Sequence, residues 1–193
     1  MRMNDEAVSP PETITLLIER ANSGDATALN RLFAALYPEL HAMARSRIRM
    51  NAPLTLLDTT SLLHEVYLRL VNLGELKVEN RAHFLGYAAR TMRSIIVDFA
   101  RRRLSDRRGG SAQEVELDTD VAATTRSGEE EIVRVHDALL ELAQADERLV
   151  RVVEMRYFGG LTEDEIVAAL GVTDRTVRRD WEKARMLLSL ALR

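Results

Sequence analysis

Apolar residues recur along this chain at the three- and four-residue spacing that gives a helix one buried face. In the first half the pattern predicts a short helix that Thr13 or Thr15 can cap. It then predicts a helix from Asp25 to about Arg49 with a bend at Pro38, a helix from Asp58 to Leu73, and a long helix from Asn80 to Arg103. Asp25 and Asn80 are residue types that cap helices, because their side-chain oxygens accept hydrogen bonds from free backbone N–H groups.

The second half continues the helical pattern from Glu129 to the end of the chain. One amphipathic stripe runs from Ile132 to Leu142 and a second from Leu149 to Met155, and Gly159-Gly160 then interrupts the pattern. Thr162 with Glu165 three residues later predicts a capping box at the start of the next helix, and Asp174 can cap the last one.

Composition favours an all-α fold and a cytoplasmic protein. All four prolines lie at or before position 53 of the 193 residues, which leaves the remaining chain free of the residue that breaks helices. The chain has no cysteine, which fits a reducing compartment and excludes thiolate metal sites. The N-terminus lacks the apolar core of a signal peptide, and no stretch reaches the ~18 apolar residues of a membrane span, so we expect no membrane partner.

The charge pattern divides the chain into two modules and a linker. Residues 90–108 hold seven arginines and two acids, whereas residues 114–131 hold seven acids and one arginine. The segment after Gly109-Gly110-Ser111 has no clear period and is rich in Thr, Ser and Ala. We therefore predict helical modules at residues 11–108 and 129–193, joined by a flexible acidic linker at 109–128. The net charge of −3 argues mildly against a stand-alone nucleic-acid binder, so the local arginine cluster is more informative than the total.

The segment TEDEIVAALGVTDRTVRRDW, residues 162–181, has the pattern of a helix-turn-helix. Gly171 lies where a tight turn between two crossing helices needs a left-handed residue. Arginines on the second helix suit both phosphate neutralisation and contact with guanine in the major groove. The predicted DNA contacts are Arg175, Thr176, Arg178, Arg179 and Lys183. The alternative is a helical hairpin whose charged face is merely solvated, and Val167 departs from the small residue usual at its position.

With both modules assigned, the chain resembles the extracytoplasmic-function (ECF) group of bacterial sigma factors over nearly its whole length. MRYFGGLTEDEIVAALGVTDRTVRRDWEKARMLL looks like sigma region four, SLLHEVYLRL resembles the polymerase-binding helix of region two, and RAHFLGYAARTMRSIIVDFARRR resembles the helix that recognises and opens the −10 element. The resemblance implies a non-enzymatic initiation factor. Region two would bind the clamp of the largest subunit of RNA polymerase core and the melted −10 strand, and region four would bind the flap tip and the −35 element.

The resemblance also assigns roles to individual residues. Contacts with core polymerase would involve Asp58, Ser61, Glu65 and Arg69. An opened −10 strand needs positive charge and a surface for an unstacked base. The charge would come from Arg90, Arg93, Arg101, Arg102 and Arg103. Phe84 and Tyr87 can both stack on a base, although Phe84 also fits the core stripe, which we favour.

One departure from the family concerns the start of the polymerase-binding helix. Relatives usually carry several acids there, whereas this chain has Asp58, Thr59, Thr60 and Ser61. A subset of the family with hydroxyl residues at these positions is linked with Ser/Thr protein kinases. A phosphate on Thr60, or alternatively on Ser61 or Thr59, would restore negative charge in the first turn of a helix, where the helix dipole favours anions. The alternative is that Thr59 or Thr60 is simply an N-cap.

The residues alone leave two other functions to be considered. A stand-alone helix-turn-helix regulator would need a ligand pocket or receiver domain in the first half, where no βα alternation occurs. An α-helical hydrolase would need a nucleophile or metal site, but His41, His64, His83 and His136 are dispersed and lack metal-ligand spacing. We therefore expect neither a metal nor another cofactor.

Overall fold

The computed structural model describes residues 13–50, 57–74, 76–108 and 119–193, and this part of the chain is all-α, as predicted. The N-terminal half consists of α1 to α5, and the C-terminal half consists of α6 to α9 with a π-helical segment between α7 and α8. The bounds are α1 (Ile14–Asn22), α2 (Ala26–Ala35), α3 (Tyr37–Met50), α4 (Thr59–Asn72), α5 (Arg81–Arg108), α6 (Thr119–Ala145), α7 (Glu147–Val153), the π segment (Glu154–Phe158), α8 (Glu163–Leu170) and α9 (Asp174–Ala191).

Side-chain caps start α1, α2 and α5 in the N-terminal half. Thr13 caps α1, and Asp25 caps α2 by accepting hydrogen bonds from the backbone N–H groups of Thr27 and Ala28 at 2.8 and 3.1 Å. Asn80 accepts from the His83 N–H at 2.9 Å at the start of α5. The predicted caps Asp25 and Asn80 are confirmed, and Thr13 is the residue that caps α1.

The predicted single helix from Asp25 to Arg49 is wrong, because the chain forms two helices there. Helix α2 ends at Ala35, and α3 starts at Tyr37 with Pro38 in its first turn. A proline ring clashes with the carbonyl four residues earlier and lacks an N–H, whereas the first turn of a new helix tolerates it. Pro38 therefore marks a helix break rather than a bend.

Asp58 caps α4, which corrects the idea that Thr59 or Thr60 does so. The Asp58 carboxylate accepts from the backbone N–H groups of Thr60 at 2.8 Å and Ser61 at 2.9 Å, and from the Ser61 hydroxyl at 2.9 Å. Helix capping therefore does not require a hydroxyl at Thr59 or Thr60.

The core of the N-terminal half forms around α5. Phe84 is fully buried, as are Leu32, Leu62, Val66 and Met92 from α2, α4 and α5. The core position that we favoured for Phe84 is therefore confirmed, and Tyr87, which is half-buried, is the remaining aromatic candidate for base stacking on this helix.

Helix α6 begins ten residues before the predicted module boundary at Glu129. It starts at Thr119, so residues 119–128 are helical and the prediction of a flexible linker is wrong for them. This stretch contains no proline and only one glycine, so few of its residues oppose a helical backbone. Residues 109–118 of the predicted linker lie outside the described residues.

The helix-turn-helix forms as predicted from α8 and α9. Thr162 and Glu165 make a reciprocal capping box, in which the Thr162 N–H donates to the Glu165 carboxylate at 2.9 Å and lowers the pKa of that carboxyl group. Gly171 ends α8 with φ 63° and ψ 30° in the left-handed region. Thr173 rather than Asp174 caps α9, because its hydroxyl accepts from the Thr176 N–H at 3.3 Å.

The two halves share one hydrophobic core. Met155, Leu161, Ile166 and Val177 of the C-terminal half belong to the same buried cluster as the core of the N-terminal half. A second, smaller cluster lies within the C-terminal half and comprises Leu139, Leu142, Leu149, Val150, Val153 and Ala184. The halves are thus packed against each other, although the sequence predicted modules separated by a tether.

Gly171 provides a test of the turn geometry. A Cβ at this position would meet no described heavy atom within 4 Å, so a substitution acts through the backbone conformation alone. We expect Gly171→Ala to lower the free energy of unfolding by about 1 kcal/mol, because left-handed φ values are unfavourable for L-residues. Gly171→Asn should lose less, since asparagine tolerates this region. Urea denaturation measures both values, and equal stability of the alanine variant and the wild type would contradict the assigned turn.

Candidate nucleic-acid interface

Helix α9 presents a basic face to solvent. Arg175, Arg179 and Lys183 are exposed, whereas Val177 and Ala184 on the opposite side are buried. Thr176 is half-buried, and its hydroxyl lies 3.0 Å from the Thr173 hydroxyl at the start of the helix. Arg178 is exposed on the same helix. Four of the five predicted −35 contacts therefore lie on its solvent-exposed face.

Arg178 is exposed over 64% of its side chain and already has two acidic neighbours. Its Nε atom donates to Glu163 at 2.7 Å, and Asp174 lies 3.4 Å from Nη2. Glu163 belongs to α8 and Asp174 to the first turn of α9. Because exposed ion pairs are weak and are screened by salt, a DNA phosphate can compete for this guanidinium group.

A buried carboxylate fixes α9 against α7. Asp180 is 2% exposed, and it accepts a hydrogen bond from Nε of Arg148 at 2.6 Å. This hydrogen bond raises the pKa of Arg148. Trp181, the next residue, lies under the guanidinium group of Arg156, 5.1 Å from the ring centroid. These contacts hold the helix so that its arginine face points away from the core.

The arginines of α5 are in a different environment. Arg93 is buried, with 8% of its side chain exposed, and its Nη2 atom lies 2.5 Å from Oε1 of the buried Glu154. Its Nη1 atom lies 2.6 Å from Nδ1 of His136. Arg90 is exposed and lies 3.9 Å from the same Glu154 carboxylate. The structure thus places two predicted −10 residues against an acid of the π segment.

Farther along α5, Arg101 lies 2.9 Å from Asp137 and Arg103 lies 3.0 Å from the fully buried Glu129. Both acids belong to α6. Arg102 is exposed and has no acidic partner among the described residues. Of the five arginines predicted to bind the −10 strand, four therefore face acids of the C-terminal half.

His136 contributes to the same contact. Burial, with the positive charge of Arg93 as the next cause, lowers the pKa of the His136 imidazole. Arg101 acts in the same direction, while Asp137 and Asp98 oppose it. The neutral imidazole can therefore approach Arg93 without adding a second positive charge.

The predicted polymerase-binding residues lie on α4. Asp58, Ser61 and Glu65 are exposed, and the hydrogen bond from the Ser61 backbone N–H is the main cause that lowers the pKa of Asp58. Arg69 instead turns toward α5, where it donates to Asp98 at 2.7 Å and to Ser94 at 3.0 Å. The same helix and its end expose three large apolar side chains, Leu68, Val71 and Leu73.

Sequence reasoning missed the acids that oppose α5 and one buried arginine. Glu154 stands alone within the apolar run VVEM, and this is a signal that a charged residue needs a buried partner. Arg47 is also buried, which lowers its pKa to about 10. It donates to the carbonyl oxygen of Tyr157 and lies over the Phe158 ring at 4.9 Å, so it links α3 to the π segment.

Two other classes of site are absent from the described part of the chain. No described helix combines the length and the apolar composition that a membrane-spanning segment requires. None of the described His, Asp and Glu residues form a group of three or more that could hold a metal ion.

The comparison with protein families gives one match. The profile described as ECF sigma factor matches residues 11–193, which is nearly the whole chain. No curated protein and no solved structure matches this chain. The matched range includes the helix-turn-helix, the α4 surface and the arginine-rich α5. The chain therefore belongs to the ECF sigma factor family, whose members are non-enzymatic, DNA-binding factors for transcription initiation by RNA polymerase.

Proposed function

We propose that this sigma factor uses residues 11–108 as region two and residues 129–193 as region four, with residues 109–128 between them. Region two binds the clamp of core polymerase through α4 and the −10 strand through α5. Region four binds the flap tip and recognises the −35 element through α9. It acts in the cytoplasm, where both partners are present.

The exposed basic face of α9 carries this proposal. Arg175, Arg178, Arg179 and Lys183 lie on the second helix of a helix-turn-helix, which is the element that enters the major groove in this motif. An arginine can bond guanine with two parallel hydrogen bonds, and several basic residues together neutralise phosphates. The buried Asp180 holds α9 against α7. The helix backbone that carries these basic side chains therefore has a fixed position.

The α4 surface supports binding to core polymerase. Asp58, Ser61 and Glu65 lie along the exposed side of α4, and Leu68, Val71 and Leu73 continue it with apolar area. Exposed apolar patches rimmed by polar residues are typical of protein-binding surfaces. The support for Arg69 is weaker, because its contacts with Ser94 and Asp98 hold α4 against α5.

We further propose that a Ser/Thr protein kinase activates the factor by phosphorylating Thr60. Thr60 is exposed in the first turn of α4, and its hydroxyl has no hydrogen-bond partner among the described residues. The Ser61 hydroxyl is already bonded to Asp58, and Thr59 is half-buried, so both are poorer acceptors. A phosphate adds about −1.5 to −2 charge where relatives have acids, and it can pair with arginines of the polymerase clamp.

Neutralising Arg178 and Arg179 together tests the DNA-binding proposal. We expect Arg178→Gln/Arg179→Gln to weaken binding to a −35 duplex about tenfold or more, because phosphate and base contacts are lost. The slope of log affinity against log salt should fall by about two, since fewer counterions are released. Fluorescence anisotropy at several salt concentrations measures both quantities.

The matched control is Arg45→Gln/Arg49→Gln, which removes the same charge from exposed positions on α3. It should leave the −35 affinity near the wild-type value. If both double variants weaken binding equally, the affinity depends only on the net charge of the protein. The assignment of Arg178 and Arg179 as DNA contacts is then wrong.

Thr60→Ala tests the phosphorylation proposal. Because Asp58 provides the cap, we expect the substitution to change stability by no more than about 0.5 kcal/mol. Phosphorylation should tighten binding of the wild type to core polymerase by about tenfold or more, through charge-assisted contacts of the phosphate. The Thr60→Ala variant should not respond, whereas Thr59→Ala should respond like the wild type. Binding before and after kinase treatment, with mass-spectrometric mapping, gives the result.

Tight core binding and full transcription by the unmodified protein from a kinase-free host would contradict the switch. That result would leave the proposed −35 contacts untouched, since they are measured without polymerase.

A further inference from the structure

The contact between the two halves runs along one side of α5. At its start, Asn80 donates to the carbonyl oxygen of Ala168 at 3.1 Å, and Arg81 lies 2.8 Å from Glu165 of α8. At its far end, Arg103 meets Glu129 of α6. At the helical rise per residue this contact extends over about 35 Å. We call these contacts of α5 with α6, the π segment and α8 the inter-half interface.

The centre of the inter-half interface is a buried ion pair. The Arg93 and Glu154 side chains are 8% and 5% exposed, and their charged atoms lie 2.5 Å apart. Isolated charges cannot remain in such a site, so each requires the other. A DNA phosphate would need the same guanidinium group. The Arg93 guanidinium group can therefore pair with Glu154 or with a DNA phosphate, but not with both at once.

The Met155 side chain packs directly against the backbone of α5 at Gly86. Gly86 lies inside α5, where glycine weakens a helix, and a Cβ there would lie 2.8 Å from Cε and 3.0 Å from Cγ of Met155. Both distances are below van der Waals contact, so an added side chain must displace the Met155 side chain, and one as large as leucine would occupy the space that Met155 fills against α5. Gly86 thus permits the two halves to pack this closely.

The same contact also has features of a separable interface. Nε of Arg93 is buried without a hydrogen-bond partner among the described residues. A cavity of about 220 Å³ remains between the halves, with Arg93, Ile132, His136 and Phe158 in its lining. A permanent core is expected to satisfy its polar groups and to fill its voids. Opening the interface would hydrate the Arg93 side chain.

We propose that the C-terminal half inhibits the −10 surface of its own chain. In the free protein, Glu154, Asp137 and Glu129 occupy arginines of α5 in place of DNA phosphates, and the halves must separate before α5 binds single-stranded DNA. The proposal rests on the assignment of α5 to the −10 strand and adds a closed state that blocks it. Binding of each half to its own site on core polymerase would separate them.

The closed state is tested by a distance measurement in the full chain. The protein has no cysteine, so Ser46→Cys on α3 and Ser189→Cys on α9, both exposed, give two specific spin-label sites, one in each half. In this background Glu154→Gln leaves Arg93 buried without a counter-charge, which favours the open state. We expect pulsed electron resonance to give one short distance population for the parent protein and a longer, broader one for the variant.

Glu147→Gln is the matched control. Glu147 also pairs with an arginine, Arg151, at 2.8 Å within α7, and Arg90 of α5 acts on it only through a weaker Coulombic interaction. The control should keep the distances of the parent protein. Gly86→Leu provides a second route to the open state, because it changes no charge, favours the helical conformation of α5 and displaces Met155. Far-ultraviolet circular dichroism confirms that every variant remains helical.

DNA binding supplies the second measurement. Affinity for a short A/T-rich single-stranded oligonucleotide should rise about tenfold in Glu154→Gln and in Gly86→Leu, and should not change in Glu147→Gln. Unchanged distances in both variants, or a parent protein that is already open, would overturn the closed state. Longer distances without a gain in affinity would overturn the inhibition.

Failure of the −10 assignment gives a different result. Arg90→Gln/Arg102→Gln, placed in the open Gly86→Leu background, should lower oligonucleotide affinity if α5 binds the strand. If the double variant lowers the affinity, but Gly86→Leu alone does not raise it, the proposed inhibition is wrong and the DNA site on α5 is retained. If neither change affects binding, the −10 assignment itself is wrong.

Discussion

The buried ion pair between Arg93 and Glu154 is the contact on which the arrangement of the two halves depends. It joins the middle of α5 to the π segment that precedes the helix-turn-helix. Replacing such a pair with apolar residues is often neutral or stabilising, whereas removing one partner costs about 3–5 kcal/mol. The ion pair therefore contributes more to the specificity of packing between the halves than to the stability of either half. The apolar contacts of Met155, Leu161 and Ile166 provide the larger share of the attraction.

The two basic helices, α5 and α9, differ in how far their arginines are exposed to solvent. The arginines of α9 face solvent, and Arg178 and Arg179, which have acidic neighbours, keep 64% and 67% of their side chains exposed. The arginines of α5 are largely covered, and Arg93 is desolvated. The surface proposed for the −35 element is thus available without rearrangement. The surface proposed for the −10 strand would require separation of the halves, and this difference fits an order in which double-stranded DNA is bound before the opened strand.

Local signals in the sequence predicted much of the fold. Asp25, Asn80 and the Thr162–Glu165 pair define helix starts through backbone hydrogen bonds, and these depend only on neighbouring residues. Gly171 predicted the turn for the same reason, since its left-handed conformation is a local requirement. The outward face of α9 also followed from helical periodicity alone.

The sequence could not predict which arginines would be covered. Counting charges on α5 shows a basic helix, but burial depends on which distant acids are packed against it. Glu154 and Glu129 lie far from α5 in the chain, so only the tertiary fold brings them to Arg93 and Arg103. The start of α6 was missed because the acidic, Thr-rich composition of residues 119–128 resembles a linker, although it contains few residues that break a helix.

In the proposed closed state, the carboxylates that cover α5 would also affect where the free protein is found in a cell. Chromosomal DNA offers a vast number of non-specific sites, and each phosphate contact strengthens binding to all of them through counterion release. With Arg93, Arg101 and Arg103 already neutralised, fewer contacts are available, and a protein of net charge −3 is repelled at long range. The proposed closed state would thereby keep the chain off the bulk of the genome. Its free concentration, and hence its competition for a limited supply of polymerase, would be higher than its arginine content suggests.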